Sequence, residues 1–351
     1  MLYFLYTHFD INIFHYISVR AIIAFFFSFL LTVILMPKYI KQAKSKFTQP
    51  IYSLAPKTHE QKSKTPTMGG IVFISSSLIA IVLCAKINFY VILSILTLIL
   101  FMIIGIIDDI SKAKSNDNRA GLSARQKFIL QTIAAFFISL ILYFHHFDTY
   151  FYIPFYKHPL FNMKFFAIFF WTFVIVGISN AVNLTDGLDG LATMPSVLAF
   201  FTLSIFLYLM GNAIFSHYLF LPFEKGVGEG VIITSSLIGA LLGFLWYNAN
   251  PAEVFMGDTG SLSIGAIIAL LAIFAKSEIL LFFIGFVFIM ETLSVMLQVG
   301  SFKTTGKRIF LMAPFHHHFE KMGWRENKVT IRFWIIALIM NIIAILNIKI
   351  R

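Results

Sequence analysis

Runs of apolar residues alternate with short polar stretches from one end of the chain to the other, and no polar run is long enough to form a domain of its own. A helix crosses the hydrocarbon core of a bilayer with about 20 mostly apolar residues, somewhat fewer where interfacial side chains anchor its ends. Ten blocks qualify, with uncharged cores at residues 21–36, 69–84, 89–107, 128–144, 165–178, 191–210, 231–246, 262–274 and 333–345, and a ninth in order, 279–297, that holds one acid, Glu291. The pattern predicts an all-α integral membrane protein. Residues 1–351 are expected to form one polytopic bundle of about ten transmembrane helices embedded in the lipid bilayer, as a single domain.

Composition agrees: 59% of the 351 residues are hydrophobic and 12% charged, against roughly 25% charged in soluble chains. A net charge of +11 would suggest nucleic acid in a soluble protein. Here the basic residues sit between apolar blocks, where they orient the chain, and no nucleic-acid partner is expected. Three interhelical loops carry seven (Lys38, Lys41, Lys44, Lys46, Lys57, Lys62, Lys64), five (Lys112, Lys114, Arg119, Arg125, Lys127) and seven (Lys303, Lys307, Arg308, Lys321, Arg325, Lys328, Arg332) of the 27 basic residues. All three lie on one side, which the positive-inside rule makes cytoplasmic, with both termini outside. The lone Cys84 has no partner and says nothing about compartment. The first ten residues lack the basic start and cleavage site of a signal peptide, so the first span is expected to be retained.

Ten of the sixteen acids fall on that same side, and five of them sit in three short motifs. Asp108 and Asp109 end the third span as adjacent carboxylates, suited to holding a divalent cation or acting as a base, or else simply marking the end of a span. Asn180, Asn183, Asp186 and Asp189 recur every third residue in a loop without a single Lys or Arg. Neighbours such as Asn183 and Asp186 share a helical face, whereas all four cannot, so Gly187 and Gly190 are expected to break the helix and let backbone approach a ligand. An ordinary polar turn would use the same residue types, yet grouping two Asn and two Asp at the membrane edge is costly without a purpose. In the third motif Asp258 stands among small residues, Gly257-Asp258-Thr259-Gly260-Ser261, and Phe255 offers an aromatic face to a base or packs at the interface.

Two further segments add to the set. His316, His317 and His318 are consecutive, which on a helix points them about 100° apart and argues against a shared transition metal; imidazoles there can donate to phosphate or shuttle protons. The segment from Lys62 through Thr67 to Gly69-Gly70 leads into the second span, with Pro66 stopping the helix and the glycines admitting another backbone. Lys62, Lys64 and Lys127 can hold phosphate as point charges or serve only as membrane anchors. Carboxylates for a hard cation, lysines for phosphate and an aromatic ring at one membrane face fit phosphoryl transfer between a soluble donor and a lipid phosphate. Oxygen ligands without a cysteine cluster favour Mg²⁺ over Zn²⁺.

These motifs resemble those of the phospho-N-acetylmuramoyl-pentapeptide transferase (MraY) family of polyprenyl-phosphate N-acetylhexosamine-1-phosphate transferases. The likeness runs through residues 65–70, Asp108-Asp109, residues 121–127, 183–190, 255–261 and 313–318. Lys64 departs from it, since the family usually has Gly there. The resemblance implies a homodimeric, ten-span enzyme of the bacterial inner membrane. Its active site would face the cytoplasm and transfer phospho-MurNAc-pentapeptide from UDP-MurNAc-pentapeptide to undecaprenyl phosphate, giving lipid I and UMP in peptidoglycan synthesis. By motif position it implies Asp258 as the principal Mg²⁺ ligand, with Asp108 and Asp109 beside it. Lys62, Gly187, Leu188, Asp189, Asn248 and Phe255 would line the nucleotide pocket. Thr67, Asn183, Asp186, His316 and His317 would complete the active site, and Lys112 and Lys127 would meet the phosphates. Two alternatives stand beside this reading: a related transferase using UDP-N-acetylglucosamine, and an ion-coupled transporter, whose acids should lie near mid-bilayer. Only Glu291 lies well inside a span.

Overall fold

A computed structural model describes residues 1–44, 65–115 and 121–350, so Lys62 and Lys64 lie outside the described residues. The helices are α1 (Leu2–Phe9), α2 (Ile17–Ala43), α3 (Gly70–Cys84), α4 (Phe89–Ser115), α5 (Ala124–Phe144), α6 (Phe166–Thr185), α7 (Thr193–Met210), α8 (Ala213–Leu219), α9 (Gly230–Asn248), α10 (Gly257–Phe274), α11 (Leu281–Ile284), α12 (Phe286–Thr305), α13 (Phe315–Lys321) and α14 (Glu326–Ile350). Between α5 and α6 a two-stranded antiparallel hairpin pairs β1 (Tyr150–Phe151) with β2 (Phe161–Asn162), Tyr150 opposite Asn162 and Phe151 opposite Phe161.

Among the described residues nine helices are long and apolar enough to span a membrane. The tenth expected span is α3, whose 15 residues cover roughly 22 Å of a core about 30 Å thick. Its start is set by backbone pairing. Phe255 N donates to the Pro66 carbonyl at 2.8 Å, Gly69 N to Phe255 O at 2.9 Å and Gly70 N to Met256 O at 3.0 Å. These bonds draw residues 66–70 against the segment that leads into α10.

Every residue of α10 from Thr259 to Phe274 is buried, and it packs against α4 and α6. Glycines make both contacts close. A side chain at Gly105 of α4 would put its Cβ 2.4 Å from Thr259 Cα, and one at Gly265 of α10 would sit 2.5 Å from Ser179 Cα of α6. Elsewhere Gly239 and Gly243 of α9 bring α2 close, and Ser28 Oγ donates across to Ser236 O at 2.7 Å. Small residues drive helix contact in lipid in this way, because the bilayer offers no hydrophobic effect between helices.

The ninth span departs from the single block expected. It divides at Gly285 into α11 and α12, and Asn341 of α14 donates to the freed Ile284 carbonyl at 3.1 Å while accepting from Thr202 Oγ1 at 2.6 Å. A side chain from another helix thus satisfies a backbone group that a break exposes.

At the end of the bundle remote from the aspartates, Arg20 of α2 forms a two-pronged pair with Glu229, both contacts 2.8 Å and both residues buried. Its guanidinium also donates to Cys84 O at 3.1 Å. Removing one member of such a pair strands the other charge. Arg20→Met is therefore expected to destabilise the protein by about 3–5 kcal/mol, measured as a fall in unfolding midpoint in detergent. Adding Glu229→Met should recover much of the loss, and an unchanged midpoint in the single variant would contradict the assignment.

Candidate active site

The site forms where α4, α6 and α9 end and α5 and α10 begin. Tight packing at Gly105 brings the last turns of α4 beside the first turn of α10, and Asp109 exploits it. Its Oδ1 accepts from Asp258 N at 3.1 Å, and its Oδ2 accepts from Thr259 N at 2.9 Å and Thr259 Oγ1 at 2.7 Å. A carboxylate from α4 therefore caps the N-terminus of α10, where backbone donors lack partners and the helix dipole favours negative charge. Gly257 enters that helix at φ +72°, and a Cβ there would lie 2.7 Å from Asp109 Oδ2 and 3.0 Å from Thr67 Oγ1. Thr67 is buried at this junction, its carbonyl accepting from Tyr39 at 2.7 Å.

Asp108, one residue earlier, points elsewhere. Its Oδ1 accepts from Leu122 N at 2.8 Å and its Oδ2 lies 2.6 Å from Lys112 Nζ. Asp258 Oδ2 takes both Lys112 at 2.8 Å and Lys127 at 2.6 Å, while its Oδ1 accepts from Asn183 Nδ2 at 2.7 Å. Lys127 also donates to Asn183 Oδ1 at 3.2 Å. One oxygen from each of Asp108, Asp109 and Asp258 falls within 4.8 Å of the others. Three hard oxygen donors at that spacing fit a small divalent cation such as Mg²⁺, and the two lysines leave the cluster with one negative charge in excess.

The helix of the second motif ends at Thr185, as its glycines suggested. Asp186 follows, and its carboxyl is pushed up to about 8, first by burial and then by the charges of Asp258, Asp109 and Asp189. Near neutrality it keeps its proton. Asp189 is buried and accepts from Asn250 Nδ2 at 2.9 Å and Ala252 N at 3.0 Å. Asn248 ties the two acidic loops together: its Oδ1 accepts from Gly190 N at 3.0 Å and Thr193 Oγ1 at 3.1 Å, and its Nδ2 donates to Val254 O at 2.9 Å. Phe255 is half-buried beside this junction. Leu188 instead turns its side chain into an apolar cluster with Leu191, Val287, Val329 and Phe333.

His316 is buried and packs against Gly187, where a Cβ would lie 2.4 Å from His316 Nε2. Glycine at 187 is thus required by an imidazole, with no positive φ involved, whereas Gly190 does adopt φ +71°. His317 Nδ1 lies 2.6 Å from Glu320 Oε2. The three consecutive histidines do not converge on one metal: among the described residues the only cluster of potential ligands is the aspartate triad.

Several participants carry no sequence signal of their own. Glu326 Oε1 accepts from Asp189 N at 2.9 Å, and Trp334 Nε1 donates to Gly190 O at 3.1 Å, so α14 buttresses a loop well over a hundred residues away. Ser261 was visible only as a small neighbour of Asp258; its hydroxyl meets Asn183 Nδ2 at 2.9 Å.

Comparison with known proteins places the chain. Residues 91–276 match glycosyl transferase family 4, and residues 62–74, which include Lys64, match signature 1 of phospho-N-acetylmuramoyl-pentapeptide-transferase. Proteins with that last name are similar over the full length. That of Nautilia profundicola is 63% identical over 351 residues and that of a Nitratiruptor species 60% over 354, each alignment covering all of both chains. One from Campylobacter jejuni is 58% identical over 341 residues, 96% of this chain and 97% of its own.

The adjacent aspartates should separate by stability. Asp109→Ala removes the acceptor of three hydrogen bonds at a buried helix start and is expected to cost about 2–3 kcal/mol. Asp108→Ala, which loses one backbone bond and its ion pairs to two partly exposed lysines, should cost clearly less. Equal falls in unfolding midpoint for the two variants would contradict the division of roles.

Proposed function

Because the chain belongs to the phospho-N-acetylmuramoyl-pentapeptide transferase family, we propose that it transfers phospho-MurNAc-pentapeptide from UDP-MurNAc-pentapeptide to undecaprenyl phosphate. The products are lipid I and UMP. The observation that carries this reading is the meeting of Asp108, Asp109 and Asp258 with Lys112 and Lys127 at one end of a membrane-spanning bundle. There a lipid phosphate and a soluble phosphate donor can reach the same side chains. We place that end at the cytoplasmic face of the bacterial inner membrane, following the basic loops.

Asp258 and Asp108 would hold Mg²⁺, with Asp109 fixing the start of α10; the ion supplies neutralisation of phosphate charge when bound. Lys112 and Lys127, which pair with Asp258 and Asp108 in this structure, turn their charge to phosphoryl oxygens. Asp108 orients or deprotonates the lipid phosphate, whose oxygen attacks the sugar-linked phosphorus. The bond from that phosphorus to the bridging oxygen breaks, and UMP leaves with the electron pair. Gly187, Asp189, the Leu188 backbone, Asn248 and Phe255 shape the nucleotide side, joined by Lys62. Thr67, Asn183 and Asp186 fix the aspartates' surroundings, and His316 and His317 act as donors or proton carriers. Two chains associate as a homodimer.

Purified protein supplied with UDP-MurNAc-pentapeptide, undecaprenyl phosphate and Mg²⁺ should form a lipid-linked product and release UMP, and chelation should stop both. Asp258→Asn should lower the rate by at least about 100-fold. Undiminished activity in that variant would refute its role. Product from UDP-N-acetylglucosamine in place of the pentapeptide donor would move the protein to the related transferases.

A further inference from the structure

Glu291 is a buried acid within a span, and the aspartate cluster does not include it. It is fully buried on α12. Burying a carboxylate in a transmembrane helix is costly unless it is paired and serves a purpose. Its partner is His316. Glu291 Oε2 lies 3.2 Å from His316 Nδ1, and Oε1 accepts from the His316 backbone N–H at 3.1 Å. The ring itself is 1% exposed. Neither ring nitrogen has a partner in hydrogen-bonding geometry among the described residues: Nδ1 faces the Glu291 carboxylate, and the far nitrogen, Nε2, abuts Gly187, which follows Asp186.

This is the arrangement in which a carboxylate decides what an imidazole offers. A neutral histidine donates from one nitrogen and accepts at the other, and the partner of the first fixes the role of the second. An acceptor-only carboxylate facing Nδ1 selects the N–H there. The nitrogen that remains for chemistry is Nε2, on the side of the 183–190 loop. Packing closes the alternatives: the ring is held by Gly187 on one edge, by His317 with ring centroids 4.2 Å apart, and by Glu291 on the other edge.

We propose that Glu291 is a positioning residue of the transfer reaction, holding the His316 ring with Nδ1–H toward its carboxylate so that Nε2 is presented to substrate beside Gly187. The inference rests on the transferase reading for its kinetic consequence, though not for the state of the ring. It accounts for three features together: an acid inside a span, a buried histidine whose Nε2 has no partner among the described residues, and a glycine that no backbone angle requires.

A cap on the His316 backbone alone would be a purely structural role, and a double-mutant cycle separates the two. His316→Gln keeps the backbone N–H and removes the ring. His316→Gln and Glu291→Met should each lower kcat by about 100-fold with little change in KM, and the double variant should lose no more than the worse single, because the two act as a unit. Losses that multiply would overturn the proposal. Should Glu291→Met not yield folded protein, Glu291→Gln keeps an acceptor for the backbone N–H, and a smaller loss that again vanishes in the His316→Gln background is expected. Nitrogen-15 NMR of labelled histidine, with the His316 signal identified by its disappearance in His316→Gln, reads the ring without turnover. The wild-type ring should carry its proton on Nδ1 and shift toward the Nε2–H form in Glu291→Met; the same form in both would overturn the proposal. If wild-type protein makes no lipid-linked product, the transferase reading falls while the NMR comparison still decides the role of Glu291 at the ring.

Discussion

Asp109 accepts three hydrogen bonds from the first turn of α10, and the site follows from that contact. The cap works across two helices because Gly105 and Thr259 touch backbone to backbone. Any side chain at 105 would push α4 away and carry both aspartates with it. With the helix start fixed, Asp258 stands at a set distance from Asp108, and both meet the lysines that enter from α4 and α5. Charge concentrated at a membrane boundary is held by a glycine contact and a carboxylate cap.

The lysines show what the site is built to receive. Lys112 and Lys127 both converge on Asp258 Oδ2, and their charge offsets most of the three carboxylates. A divalent cation at the aspartates would weaken that hold and leave two ammonium groups to meet phosphate. Cation and phosphate sites built from one network can thus fill together. The loop between Asn183 and Gly190 extends the network toward α14 and α12 through Asp189, Asn248 and His316, so the nucleotide side and the histidine side share one short stretch of backbone.

Much of this was legible in the sequence, because lipid imposes a strong rule on composition. Nine of the ten apolar blocks each correspond to one helix, and the block at 279–297 to two. The helix ends run further than the blocks, α4 to Ser115 and α14 from Glu326, since charged side chains continue a helix after it leaves the apolar layer. The break at Gly285 was hidden inside an apolar run; it depends on Asn341, which sequence distance conceals. Asp108 and Asp109 look equivalent side by side, yet about 100° of helical rotation sends one to the lysines and the other to the cap. Gly187 was expected to admit a ligand to the backbone, and the space it leaves is filled by His316. Such roles are set by which helix lies opposite, information that enters only with packing.

The central claim is that the capped start of α10 creates one divalent-cation site at Asp258. Titrating Mn²⁺ into the purified protein and following the free ion by electron paramagnetic resonance tests it most directly. The account predicts one site per chain, displaced by Mg²⁺, abolished by Asp258→Asn and weakened by Asp109→Asn. A site that persists unchanged in Asp258→Asn would contradict it.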